Sequence, residues 1–369
     1  MADLIVKVTE KCNSNCAYCD VVRKPRGGET MSFAILETLF RRINEFLLAQ
    51  PAEEVTFIWH GGEPLLLGPA FLEQAAALER THCPSTAFRI KHCIQTNLTC
   101  LTQEHIPALR ALRITSMGTS YDPLPNVRGP GTTPDSEWYR ERFFKGLSLL
   151  KRNGFAWGII YVVTRLSLAR PLDLFYYLVN LCPGGNFNLN PVLIYDNERK
   201  HLAITPREFA DFLGALFPVW WKHQGRYPNV QPLRRITDNI RDNIFNLGCC
   251  DSGECAYSHV NIAPNGETSQ CGRSADWELL PYGNIQQRSL AEILADSQRD
   301  ELARRNAVLR DGECAGCRFW ELCHGGCPLD AWSQHKGFLH KSEWCDSKRM
   351  FITDYFEPIT GLRFQHHGS

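Results

Sequence analysis

Cysteine spacing is the feature of this chain that could do chemistry. Three of its 16 cysteines sit in the run Lys11-Cys12-Asn13-Ser14-Asn15-Cys16-Ala17-Tyr18-Cys19-Asp20, a CxxxCxxC spacing. So short a loop can wrap three thiolates around three corners of one cubane iron–sulfur cluster and leave the fourth iron without a protein ligand. Catalysis by a metal needs such an open position, because a substrate or cofactor must bind there. Zinc is the competing reading. It wants a fourth ligand nearby, and the nearest histidine in sequence is His60.

A second group of cysteines follows late in the chain: Cys249, Cys250, Cys255, Cys271, Cys314, Cys317, Cys323, Cys327 and Cys345. The run Cys314–Cys327 alone also fits a structural zinc ribbon, but that leaves Cys249, Cys255, Cys271 and Cys345 unexplained. Met1 to Glu10 reads as a short strand, not as the apolar region of a signal peptide. The chain is therefore expected in the cytoplasm, where thiols stay reduced and clustered ones hold metal. Cys83, Cys93, Cys100 and Cys182 are read as ordinary buried thiols.

The elements that must position these residues follow from periodicity. Apolar, β-branched runs at Leu4–Thr9, Val55–Trp59, Phe88–Gln95, Ile114–Ser120, Ala156–Val163 and Asn186–Val192 read as strands. Helical patterns separate them, the first with apolar residues from Ile35 to Leu47 after Ser32 as N-cap. Six strands alternating with helices predict an α/β fold with a parallel sheet, open or curled into a barrel. After a further helix near Pro206–Lys222 the pattern stops. From about Gly248 to Cys345 the chain is rich in Cys, Gly and turns, and metal clusters would supply the missing order. The expected domains are 1–245 (barrel to about 192, then a helical connection), a cysteine-rich 246–350 and a tail, 351–369.

Lys plus Arg and Asp plus Glu number 40 each, so net charge gives no reason to expect nucleic acid or an acidic membrane as partner. Apolar runs fall short of a membrane span.

The triplet with Tyr18 before its last cysteine resembles the signature of the radical S-adenosylmethionine (SAM) superfamily. Gly61-Gly62-Glu63-Pro64 after the second strand resembles that family's GGEP element, where two glycines let the backbone approach a ligand. Gln95-Thr96-Asn97 after the third strand is similar to its QTN segment. The resemblance covers about Leu4 to Val192 and implies a partial (β/α)6 barrel. It also implies a 4Fe–4S cluster on Cys12, Cys16 and Cys19, and SAM contacts from Tyr18, Gly61, Gly62, Glu63, Pro64, Gln95, Asn97 and Ser120. The reaction implied is reductive cleavage of SAM to a 5′-deoxyadenosyl radical that takes a hydrogen from the substrate.

The later cysteines, with Cys323-His324-Gly325-Gly326-Cys327-Pro328, resemble the SPASM domain. That resemblance implies two fully ligated auxiliary 4Fe–4S clusters, one on Cys249, Cys255, Cys271 and Cys327, the other on Cys314, Cys317, Cys323 and Cys345. Cys249 is preferred to Cys250 because its spacing to Cys255 resembles the sulfatase-maturase version. Such enzymes mostly modify peptides and proteins. The layout is similar to anaerobic sulfatase-maturating enzymes, which carry an Asp directly after the third auxiliary cysteine, whereas Gly272 stands after Cys271 here and cannot take a proton. Maturation of a ribosomally made peptide by crosslinking, epimerisation, excision or oxidation is therefore the expectation. The alternatives are formylglycine formation in a sulfatase, a small-molecule dehydrogenase, and a non-catalytic electron carrier. Implied partners are a precursor peptide or protein and a flavodoxin- or ferredoxin-type electron donor. The first strand starts at Leu4 and the tail ends in the polar Gln365–Ser369, so a separate peptide-recognition protein is expected too.

Overall fold

The computed structural model describes residues 2–19 and 28–364. Asp20, in the cysteine run, and the polar Gln365–Ser369 lie outside the described residues. In chain order the elements are β1 (Ala2–Thr9), α1 (Phe33–Ala49), β2 (Val55–Gly61), α2 (Gly68–His82), β3 (Ile90–Thr96), α3 (His105–Ala111), β4 (Ser116–Ser120), α4 (Ser136–Arg152), β5 (Ala156–Val163), α5 (Pro171–Leu181) and β6 (Phe187–Pro191). There follow α6 (Pro206–Lys222), β7 (Val230–Gln231), α7 (Leu233–Arg241), α8 (Cys255–Ser258), β8 (His259–Ile262), β9 (Glu267–Ser269), α9 (Gly272–Asp276), β10 (Pro281–Asn284), α10 (Leu290–Leu294), α11 (Arg299–Asp311), α12 (Trp320–Cys323), α13 (Pro328–His335) and α14 (Trp344–Phe351). The six expected strands are all present, interleaved with helices. The chain forms two compact units, one of residues 1–157 and 257–299, the other of residues 158–256 and 300–369.

In the first unit the strand order is β10-β9-β8-β1-β2-β3-β4. β1 to β4 run parallel, β8 is parallel to β1, and β9 and β10 fold back antiparallel. Alternation decides the two faces. Leu4, Val6, Val55, Phe57, Trp59, Ile94 and Met117 are buried on one face. α1 covers that face with Leu36, Leu39, Phe40, Ile43 and Leu47, and Phe40 stacks on Phe57 at 5.5 Å. Ser32 caps this helix through the Ile35 N–H, as the sequence predicts. Each large side chain buried here stabilises by about 1.5–3 kcal/mol. The opposite face carries Lys7, His60, Cys93, Gln95 and Ser120.

A buried polar chain crosses the first core. Trp59 Nε1 donates to His92 Nδ1 at 3.1 Å, and His92 Nε2 lies 3.0 Å from Glu79 Oε1. Trp can only donate, so Nδ1 accepts and Nε2 carries the proton it gives to Glu79. Arg113 Nη2 completes the chain by donating to the same Oε1.

In the second unit β5, β6 and β7 pair in parallel. α6 opens with Pro206 after a Thr205–Glu208 capping box and packs on α14. The cysteine-rich stretch is more regular than its sequence shows. β8, β9 and β10 are three or four residues long, too short for period two to declare itself, and α11 is a predominantly polar helix whose apolar stripe is thin. Among the described residues no helix is long and apolar enough to cross a membrane.

Candidate iron–sulfur and cofactor site

The first cysteine loop leaves the C-terminal end of β1. Its backbone is gripped by the segment after β4: Asn15 N donates to Gly129 O at 2.6 Å and Ala17 N to Val127 O at 2.8 Å. Asn97 Nδ2 donates to Asn13 Oδ1 at 2.9 Å and reaches Cys12 Sγ at 3.9 Å. Asn13 Nδ2 in turn bonds Thr99 Oγ1 and Cys100 Sγ. Burial pushes the Cys12 thiol up to about 12, so a metal held there would have to displace a proton that solvent does not remove at neutral pH. Three thiols on one fixed loop are a donor set suited to a cluster with one open iron. Among the described residues no three Cys, His, Asp or Glu side chains converge on a point that suits a single metal ion.

The GGEP and QTN segments close on this loop. Glu63 is fully buried; its Oε1 accepts from Thr96 Oγ1 at 2.6 Å and Leu65 N at 3.1 Å, and its Oε2 from Asn97 N at 2.6 Å. Burial raises its pKa against the pull of these bonds. The carboxylate thus organises the strand ends. A Cβ on Gly61 would stand 2.0 Å from Thr9 O, and one on Gly62 2.2 Å from Lys11 O. The close approach that the two glycines permit is to the chain's own cysteine loop.

Register lines up one polar row on the open face of the sheet. Lys7 pairs with His60, and Gln95 with Gly118. Gln95 takes the space a side chain at 118 would need and donates to Ser120 Oγ at 3.3 Å. Lys7 is buried, and its ammonium bonds Asp276 Oδ1 at 2.8 Å and Gly272 O at 3.2 Å. Burial, then the Lys7 charge, push His60 down to about 4, and its Nδ1 is buried without a hydrogen-bond partner. Cys271 itself caps the short α9 and takes Ser274 Oγ on its N–H.

Arg128 escaped the sequence reading. It is buried in the segment after β4, donates to Tyr18 Oη at 2.6 Å and lies over the Tyr139 ring at 4.8 Å. Nearby Cys16 favours its charge against burial. An Arg in a turn of Pro and Gly carries no period or spacing that could have revealed it.

The second unit gathers the other thiols. Cys314, Cys317, Cys323 and Cys345 line one cavity of about 70 Å³ with the cations Lys341 and Arg349. Hydrogen bonding to Cys345 brings Cys323 down to about 7. The carboxylates of Glu313 and Asp346 share the lining, and four thiols around one cavity fit a fully ligated cluster. Cys249, Cys250 and Cys255 line a second, smaller cavity with Arg305, Gly326 and Pro328. The Cys250 thiol hydrogen-bonds with both Cys249 and Cys327. Cys271 belongs to the first unit.

Residues 6–175 match the radical SAM superfamily, and residues 249–318 match the iron–sulfur cluster-binding domain called SPASM. The chain belongs to the radical SAM superfamily and carries a SPASM domain; its cofactors are 4Fe–4S clusters, three in this domain layout, and SAM. Among its relatives, a serine-type anaerobic sulfatase-maturating enzyme of Bacteroides thetaiotaomicron is 25% identical over 366 residues, spanning 90% of this chain and 83% of that one. An uncharacterized protein of Methanothermobacter thermautotrophicus is 31% identical over 222 residues, which are 58% of this chain and 77% of that protein. The structure of native anSMEcpe with bound AdoMet shares the fold, with a TM-score of 0.81 at 21% identity and 98% of both chains covered.

Proposed function

We propose that this radical SAM/SPASM enzyme modifies a residue within a ribosomally made peptide or protein. The observation that carries this reading is similarity over 90% of the chain to a maturase whose name gives a protein as its substrate. Bound at the first site, cluster and SAM supply a one-electron cleavage that yields a hydrogen-abstracting radical. Cys12, Cys16 and Cys19 hold the cluster. Tyr18, Gly61 to Pro64, Gln95, Asn97 and Ser120 shape the SAM pocket, with Glu63 acting through the Thr96 hydroxyl and the Asn97 N–H. Cys249, Cys255, Cys271 and Cys327 hold one auxiliary cluster, and Cys314, Cys317, Cys323 and Cys345 the other. The face of the sheet that carries Gln95 and Ser120 is where a substrate side chain would be held beside SAM.

Within this class we favour peptide maturation over formylglycine formation. Gly272 offers no base after Cys271, and Asp276, the nearest carboxylate on α9, is held by the Lys7 ammonium. The second reading, formylglycine formation, keeps its support in the sulfatase-maturating relative. An electron donor of flavodoxin or ferredoxin type, a peptide-recognition partner and a cytoplasmic setting complete the proposal.

The test incubates reduced holoenzyme and SAM with two substrates, the product of a short open reading frame beside the gene and a sulfatase-motif peptide, followed by mass spectrometry. Modification of the first alone supports peptide maturation. Formylglycine in the second establishes the other reading. SAM cleavage that responds only to a free sugar or porphyrin overturns both.

A further inference from the structure

Arg305 on α11 is buried, with 3% of its surface exposed. Its guanidinium is spent on backbone carbonyls: Nε donates to Phe338 O at 2.7 Å, Nη1 to His324 O at 3.1 Å, and Nη2 to Gly325 O at 3.0 Å and His340 O at 2.7 Å. Among the described residues no carboxylate bonds to it. A buried cation without an anion is costly, and carbonyl dipoles do not cancel its charge. The balancing charge must come from groups packed around it.

Those groups are cysteines. Arg305 shares a cavity with Cys249, Cys250 and Cys255. Two of the carbonyls it holds belong to His324 and Gly325, which lie between Cys323 and Cys327, ligands expected on different auxiliary clusters. Burial disfavours the charge on Arg305, and Cys327, Cys255, Cys314 and Cys323 oppose that effect, so thiols of both expected sets act on one guanidinium. The next residue, Asn306, extends the frame by donating to Gly253 O at 3.0 Å, between Cys250 and Cys255. A thiolate-ligated cluster is an anion that gains one more negative charge on reduction, so a fixed cation beside it favours the reduced form.

We propose that Arg305 is the shared counter-charge of the two auxiliary clusters: a positioning residue that fixes the turn between Cys323 and Cys327 and raises the reduction potential of both. This rests on the auxiliary ligand sets given above.

The experiment uses the full chain with Cys12, Cys16 and Cys19 changed to Ala, so that only auxiliary clusters remain. Arg305→Gln and Arg305→Lys are added separately, with iron analysis and an EPR-monitored potentiometric titration. The parent is expected to hold about two cubanes. Arg305→Gln is expected to disfavour reduction of each cluster at least tenfold, a shift of about 59 mV to more negative potential for a one-electron couple. Arg305→Lys keeps the charge but loses the fork, so its shift is smaller although its clusters are less stable. Unchanged potentials in an iron-replete Arg305→Gln chain overturn the proposal. If Arg305→Gln loses its iron, the lysine variant decides: parent-like potentials support the shared counter-charge, and equal loss of iron reduces Arg305 to a structural role and overturns it. A parent without iron overturns the ligand sets and this inference together, and is told apart by its iron content alone.

Discussion

The backbone N–H of Asn97 donates to Glu63 Oε2 at 2.6 Å, joining the GGEP turn to the QTN turn through one buried carboxylate. Three donors from two strand ends converge on Glu63.

Truncating Glu63 to Ala strands all three, and each buried donor left without its acceptor costs about 1–3 kcal/mol. Glu63→Ala is expected to lose about 3 kcal/mol or more in urea unfolding of the iron-free chain and to weaken SAM binding in the holoenzyme. Glu63→Gln keeps an acceptor and should retain part of both. Parent-like stability in Glu63→Ala would remove its organising role.

Changing Cys12, Cys16 and Cys19 together to Ala is expected to abolish SAM cleavage while iron falls by about one cubane in three. Iron analysis and chromatography of 5′-deoxyadenosine check this. Continued release of 5′-deoxyadenosine would place the open iron elsewhere.

Cys249 and Cys250 both reach the smaller cavity, and only one can complete a four-thiolate set. Cys250→Ala should keep full iron, and Cys249→Ala should lose an auxiliary cluster. Mössbauer spectra of the two variants decide, and the reverse pattern assigns the ligand to Cys250.

Glu79 gives the first unit a pH-dependent element. Burial alone would raise its pKa, but His92 and Arg113 outweigh it and hold the carboxyl below the ordinary range. A depressed carboxyl contributes stability above its unfolded pKa of about 4.3 and loses it as pH falls through the lower folded value. Glu79→Gln should therefore cost about 3 kcal/mol at neutral pH, as for a broken buried pair. The deficit should shrink as the solution is acidified below about pH 4. Urea unfolding of the iron-free chain at several pH values measures it, and a deficit independent of pH would assign the loss to packing.

The six strands β1 to β6 were legible because apolar runs alternate there with helical patterns, and the first three lead into a motif at their C-terminal ends. The three cysteines of the first loop were legible as spacing, and Gly61–Glu63 and Gln95–Asn97 through their resemblance to a known family. What Glu63 and the two glycines do was not: apart from the Thr96 hydroxyl, their partners are backbone atoms of Thr9, Lys11, Leu65 and Asn97, and sequence does not display backbone atoms. Arg128 and Arg305 stayed hidden for another reason. An arginine in a turn or on a polar helix looks solvated until the tertiary fold buries it. The Trp59–His92–Glu79–Arg113 chain is likewise assembled from β2, β3, α2 and the turn after α3, none of which predicts its partner.

The segment after β4 holds the first cysteine loop by main-chain bonds at Asn15 and Ala17, which do not involve the thiols. Main-chain bonds at these two positions do not depend on the side chains that the loop carries. Replacing Cys12, Cys16 or Cys19 therefore takes away a donor atom and leaves in place the backbone ties that present it.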